Sequence, residues 1–135
     1  QKEISYAKAV LAGTAPNPLS GLAEAYAHRT LGLANGPPEE RIILQALRLG
    51  EVGITSIPCE VLCEIGLTLK AKSPLPQATF TIELANGHNG YLPTPRQHAL
   101  GGYETWMGTC TLEITASVKI QNELLKMLEK VAQKD

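Results

Sequence analysis

Breakers limit what this chain can fold into more than any other feature. Glycine and proline cluster at 13–18, 35–38 and 73–76, and a 25-residue stretch from Ala85 to Thr109 holds five glycines and two prolines. Proline removes a backbone N–H and glycine favours turns, so such clusters end helices and strands. The chain must therefore be built from short elements joined at these points.

The segments between the breakers differ in hydrophobic period. Ile4, Ala7, Val10 and Leu11 recur at helical spacing and predict a helix over Lys2–Leu11. Ser20 stands where it could cap a second helix, from Gly21 to about Leu33, with Glu24 near its start to suit the helix dipole. Asn35-Gly36-Pro37-Pro38 ends it. Ile42–Leu49 and Val52–Ile57 are rich in branched residues, and with Gly50-Glu51 between them they predict a β-hairpin. Val61, Leu62, Ile65 and Leu69 predict a helix from Glu60 to Lys72. Ala78–Leu84 predicts a strand with Phe80, Ile82 and Leu84 on one face. The chain closes with an amphipathic helix over Ala116–Ala132, striped by Val118, Leu124, Leu125, Leu128 and Val131. This order predicts a mixed sheet with a β-hairpin, flanked by helices, of the α/β or α+β class. The 85–109 stretch is expected to be an ordered, functional loop, because it is long and carries Tyr91, Tyr103 and Trp106.

Composition narrows the function classes. Of 135 residues, 44% are hydrophobic and 19% charged, which suits a packed core rather than disorder. Twelve basic residues against thirteen acidic ones give a net charge of -1, without the basic footprint of a nucleic-acid binder. No apolar run reaches the roughly 18 residues needed to span a bilayer. Three cysteines do not make a disulfide framework, and Cys59 and Cys63 read as small buried hydrophobes before they read as zinc ligands.

The most specific signal lies in the long loop. Leu84-Ala85-Asn86-Gly87-His88-Asn89-Gly90-Tyr91-Leu92-Pro93-Thr94-Pro95, followed by Gly101-Gly102-Tyr103-Glu104, resembles a stretch of the neutral/alkaline non-lysosomal ceramidases and their shorter bacterial relatives. Ala46-Leu47-Arg48-Leu49-Gly50 and Ile57-Pro58-Cys59-Glu60 resemble the strand, turn and Pro-Gly-Glu segment of the same family. The likeness is good from about Glu40 onward. It implies a single unit, the C-terminal part of a larger catalytic domain, with residues 1–39 a helical lead-in and 40–135 the motif-bearing part. The family's members are zinc amidohydrolases of N-acyl sphingoid lipids. Carried over by motif, Glu60 and Tyr91 are metal ligands, and Tyr103, twelve residues after Tyr91, is the catalytic tyrosine near the substrate amide. Two histidine ligands are expected from the missing N-terminal half. His28, His88 and His98 match none of the family's ligand motifs. Cys59 replaces a small residue, and His88 stands where an aromatic is common.

Further expectations follow from the resemblance. The isolated chain is expected to be inactive, to carry an apolar surface bordering Glu60 and Tyr91 where the missing half would sit, and either to self-associate or to order its N-terminal helices, Lys2 to Leu33, over that gap. The family points to secreted, periplasmic or membrane-associated proteins. Taken singly, Glu60 reads as a first-turn helix acid, Tyr91 and Tyr103 as half-buried loop aromatics, Trp106 as a core plug, His98 as a solvated residue and Arg96 as a salt-bridge partner. Two other functions stand beside the enzyme: a non-catalytic lipid- or partner-binding module, and an enzyme using Cys59 as nucleophile.

Overall fold

Two helices open the chain, α1 (Lys2–Leu11) and α2 (Ala23–Asn35). The structure, a computed structural model, describes residues 1–16, 21–75 and 78–133. Ser20 lies outside them; α2 starts after Leu22 without a side-chain cap. A hairpin follows, β1 (Gln45–Leu49) and β2 (Val52–Ser56), turned by Gly50 at φ 62°. Then come β3 (Glu60–Val61), α3 (Cys63–Lys72), β4 (Thr79–Ile82), β5 (Tyr91–Leu92), α4 (Pro95–Leu100), a 3-10 turn at Tyr103–Thr105, and α5 (Ala116–Ala132). The architecture is mixed α/β, as the hydrophobic periods predict.

The sheet runs β1-β2-β4, with β1 antiparallel and β4 parallel to β2. A parallel return needs a crossover, and β3 with α3 supplies it. Leu47, Ile54 and Phe80 stand opposite one another across the three strands. Their face is open: Leu47 is 56% exposed, Leu49 73%, Phe80 49% and Ile82 46%. The other face carries Ala46, Gly53, Thr55, Thr79 and Thr81 and is covered by helices. A Cβ on Gly53 would lie 2.8 Å from Thr79 Oγ1 and 3.3 Å from Leu128 Cδ2, which explains why α5 can approach so closely. Thr55 and Thr81 pair their hydroxyls at 2.9 Å, and Thr79 pairs with Ser73 at 2.8 Å. Arg48 Nη1 donates to the Ala132 carbonyl at 3.0 Å, tying β1 to the end of α5. The core gathers Ile57, Cys59, Ile65, Leu69, Leu92, Ile120 and Leu124.

Several boundaries move. β1 begins at Gln45 because its partner stops at Ser56, just before Pro58. The helix expected from Glu60 starts at Cys63 instead. The Glu60 amide donates to the Gly90 carbonyl at 3.0 Å, and Glu60 and Val61 pair with Tyr91 and Leu92, which makes both residues strand; the Val61 amide is taken by Glu83 Oε2 at 2.9 Å. Glu60 is therefore no first-turn acid; Glu64 takes that place. β4 ends before Leu84, which turns at φ 53°. Val118, at 43% exposed, falls outside the buried stripe of α5, which runs through Ile120, Leu124 and Leu128. The 85–109 stretch is not loop throughout: it contains β5, α4 and the 3-10 turn. Among the described residues, no helix is long and apolar enough to cross a membrane.

Candidate active site

A two-stranded parallel ladder builds the centre of the site. Glu60 pairs directly with Tyr91, and Val61 with Leu92. Gly90, at φ 73°, makes this possible. A Cβ there would fall 2.5 Å from the Thr109 carbonyl oxygen, so only glycine lets strand β5 lie between β3 and the returning chain. The Tyr91 amide donates to that same carbonyl at 3.1 Å. Pro93 follows, then α4 with a full capping box: Thr94 Oγ1 accepts from the Gln97 amide, and Gln97 Oε1 accepts from the Thr94 amide. Gly101 and Gly102, at φ 76° and 118°, then redirect the backbone into the 3-10 turn.

That turn returns Tyr103 to Tyr91. Their ring centroids are 5.7 Å apart, edge to face. The row continues from Tyr103 to Trp106 at 5.7 Å and from Trp106 to Tyr26 of α2 at 5.5 Å. The Arg29 guanidinium sits 5.2 Å from the Tyr26 ring centroid. The chain has four tyrosines, one tryptophan and one phenylalanine, and four of these six rings form this row. Such edge-to-face pairs add about 0.5–1.5 kcal/mol each beyond burial, and the Tyr26–Trp106 pair links α2 to the 103–109 segment. A glycine is needed here too: a Cβ on Gly108 would lie 2.6 Å from Arg29 Cβ.

The polar groups meet in a cavity of about 470 Å³, lined among others by Arg29, Glu40, Glu60, His88, Tyr91 and Tyr103. His88 Nε2 is 3.2 Å from Glu60 Oε1. Hydrogen bonds from Tyr91 and then His88 hold the Glu60 carboxyl below its ordinary range. The same bond to Glu60, with partial burial, pushes the Tyr91 hydroxyl up to about 12. Tyr103 is also raised, chiefly by its hydrogen bond with Tyr26, whose own hydroxyl is lowered first by its bond with Thr109. At neutral pH the site thus holds an ionised carboxylate beside protonated phenols.

The structure brings Glu60, Tyr91 and Tyr103 together, although they span 43 positions (103 minus 60). It adds His88, which matches no ligand motif of the resembled family, and Tyr26 and Arg29, which no motif marks. Tyr26 and Arg29 are spaced i,i+3 on one helix and so share a face, a pattern visible in the sequence but without meaning until the loop packs on it. Trp106, 43% exposed, is an open part of the row and not a core plug. His98 is not solvated: its Nε2 is shielded and has no hydrogen-bond partner among the described residues. Arg96 pairs with Glu64 at 3.3 Å. Cys59 is fully buried and its thiol is pushed up to about 11, first by burial, so it is protonated and unsuited to act as a nucleophile. The cavity around Glu60 and Tyr91 is lined largely by polar residues, so among the described residues the apolar border expected there is not present; the exposed apolar residues Leu47, Leu49, Phe80 and Ile82 lie on the open sheet face. Leu84, beyond the end of β4, donates its amide to the Cys59 carbonyl at 3.0 Å.

Among the described residues, no three of His, Cys, Asp and Glu are grouped closely enough to hold a metal ion. Compared with known proteins, the chain matches no protein-family model, no curated protein and no solved structure.

Proposed function

We propose that the chain is the C-terminal part of a zinc-dependent amidohydrolase that cleaves the amide of ceramide or a related N-acyl lipid. One observation carries this reading: Glu60 and Tyr91, 31 positions apart (91 minus 60), are direct partners in the β3-β5 ladder and line one polar cavity. Register partners project their side chains to the same face of a sheet, an arrangement from which a carboxylate and a phenol can turn to one zinc, whose ligand bonds are about 2 Å long. A carboxylate and a phenol fit half of such a site. The histidines of the other half would come from the missing part of the domain.

Zinc held there would activate a bound water and polarise the amide carbonyl. The chain's own residues have separate tasks. Glu60 supplies a carboxylate already ionised at neutral pH. Tyr91 supplies a phenol oxygen that a dication would favour as phenolate. Tyr103 keeps its proton and stands beside Tyr91, where it can donate a hydrogen bond to the oxyanion that develops on the amide. The open apolar face of β1-β2-β4 supports the fragment reading, since soluble monomers rarely leave such a face uncovered.

The experiment measures bound zinc and N-acyl lipid hydrolysis in the complete parent protein and in this chain alone. The complete protein is expected to bind zinc and to lose activity with a chelator, and this chain alone to show no turnover. Glu60→Gln or Tyr91→Phe in the complete protein should weaken zinc by more than about 100-fold, beyond the 10–100-fold typical of groups that only orient a ligand. Wild-type zinc affinity in both variants would overturn the assignment.

A further inference from the structure

We infer that the hydrocarbon tail of the amide substrate lies in a second cavity, between the α1–α2 pair and the 105–114 segment. This deepens the amidohydrolase reading and rests on it for the polar end of the ligand. The cavity measures about 730 Å³, within the roughly 300–1,000 Å³ of small-molecule sites. Tyr6, Val10 and Ala27 form its helical wall, and Trp106, Met107 and Leu112 face them. Trp106 and Met107 are 43% and 38% exposed, so this wall is open to a ligand.

Its position argues for the tail of the same molecule. Thr111 lines both this cavity and the polar one around Glu60 and Tyr91. Tyr26 stands at the boundary: it lines the apolar cavity and meets Trp106 at 5.5 Å, while its hydroxyl is 3.5 Å from Thr109 Oγ1, which lines the polar cavity. Polar groups on one side of the aromatic row and apolar space on the other match an amphiphile whose amide and tail are joined. A small hydrophilic amide would leave the larger cavity empty. A second copy of the chain could cover the apolar wall, but nothing in such contact calls for the continuity through Thr111.

Trp106 is the chain's only tryptophan, so its emission reports on this wall directly. The test titrates the full chain with N-acyl ethanolamides of graded chain length, kept below their micellar concentrations. Trp106 emission should shift to the blue and resist acrylamide quenching, with affinity rising up to about four-fold per added methylene until the cavity is full. Val10→Phe, which fills the cavity from α1, should weaken binding by roughly tenfold, the equivalent of about two buried methylenes. If that variant disturbs α1, Met107→Ser gives the same test from the facing wall. Absence of chain-length dependence, or wild-type affinity in both variants, would overturn the proposal. So would a Trp106 shift that follows protein concentration and ignores ligand, since it would assign the wall to a second copy. Wild-type tail binding in Glu60→Gln supports the cavity whatever becomes of zinc, so the two readings fail separately.

Discussion

The two faces of the β1-β2-β4 sheet differ in a direction opposite to that of a lone sheet in water. The face that meets α3 and α5 carries Ala46, Gly53, Thr55, Thr79 and Thr81, small or hydroxylated, with Arg48 at its edge bonded to the end of α5; Thr55 pairs with Thr81, and Thr79 with Ser73 before the strand. The face without helices carries Leu47, Leu49, Ile54, Phe80 and Ile82. On the covered side, large side chains come from the helices and the sheet makes room for them. On the open side, the sheet supplies the large side chains and nothing described here receives them. The first arrangement is a packed interface; the second is an apolar face that no described element covers.

If the covered face is the chain's own core, the largest loss should come from truncating it. Leu124→Ala removes a side chain with 0% exposure and should cost about 2–5 kcal/mol, read as a drop in the denaturant midpoint. A loss below about 1 kcal/mol would show that α5 is not held by this packing.

The open face should respond in the opposite way. Leu47→Ser combined with Phe80→Ser should change the stability of the dilute chain by no more than about 0.5 kcal/mol for each substitution. The same pair should lower the mass seen by light scattering at high concentration, because self-association through this face is removed. A destabilisation as large as that of Leu124→Ala would end the comparison, since the open face would then belong to the chain's own core.

The smallest effect sharpens the link between sheet and site. Glu60 titrates below its ordinary range, so its contribution to stability is present above the unfolded carboxylate pKa and is lost as pH falls through the lower folded value. Tyr91 is raised to about 12, so its contribution is full below the unfolded phenol pKa of about 10 and is lost as pH rises toward 12. Glu60→Gln should weaken both arms of the stability profile and bring the Tyr91 ionisation, followed as the ultraviolet absorbance difference from the matching Tyr91→Phe variant, down toward about 10. An unchanged Tyr91 ionisation would mean that Tyr91 does not hydrogen-bond Glu60 in solution.

Much of this was legible from local pattern. Periods of two and 3.6 with Gly-Pro punctuation are set by near neighbours, so α1, α3, α5 and the hairpin could be placed to within a few residues. The capping box Thr94-Pro95-Arg96-Gln97 was equally local, and it marks α4 inside what the overall glycine content suggested was loop. The motifs around Glu60, Tyr91 and Tyr103 also named three groups that the structure brings into one place.

What the sequence by itself determined, then, was where each element forms and which residue types its faces carry. Tertiary structure decided the rest. Glu60 became a strand residue because its amide found the Gly90 carbonyl, 30 positions away (90 minus 60), and no helical period encodes such a partner. The Phe80-Ile82-Leu84 stripe was visible as an apolar face, but burial depends on what packs opposite, and α3 and α5 chose the threonine side. Tyr26 and Arg29 acquired a role only when Gly108 let the returning chain come against α2. Local propensity is fixed by dihedral preferences and side-chain period. Which faces meet is fixed by long-range packing, and that is a property of the whole fold.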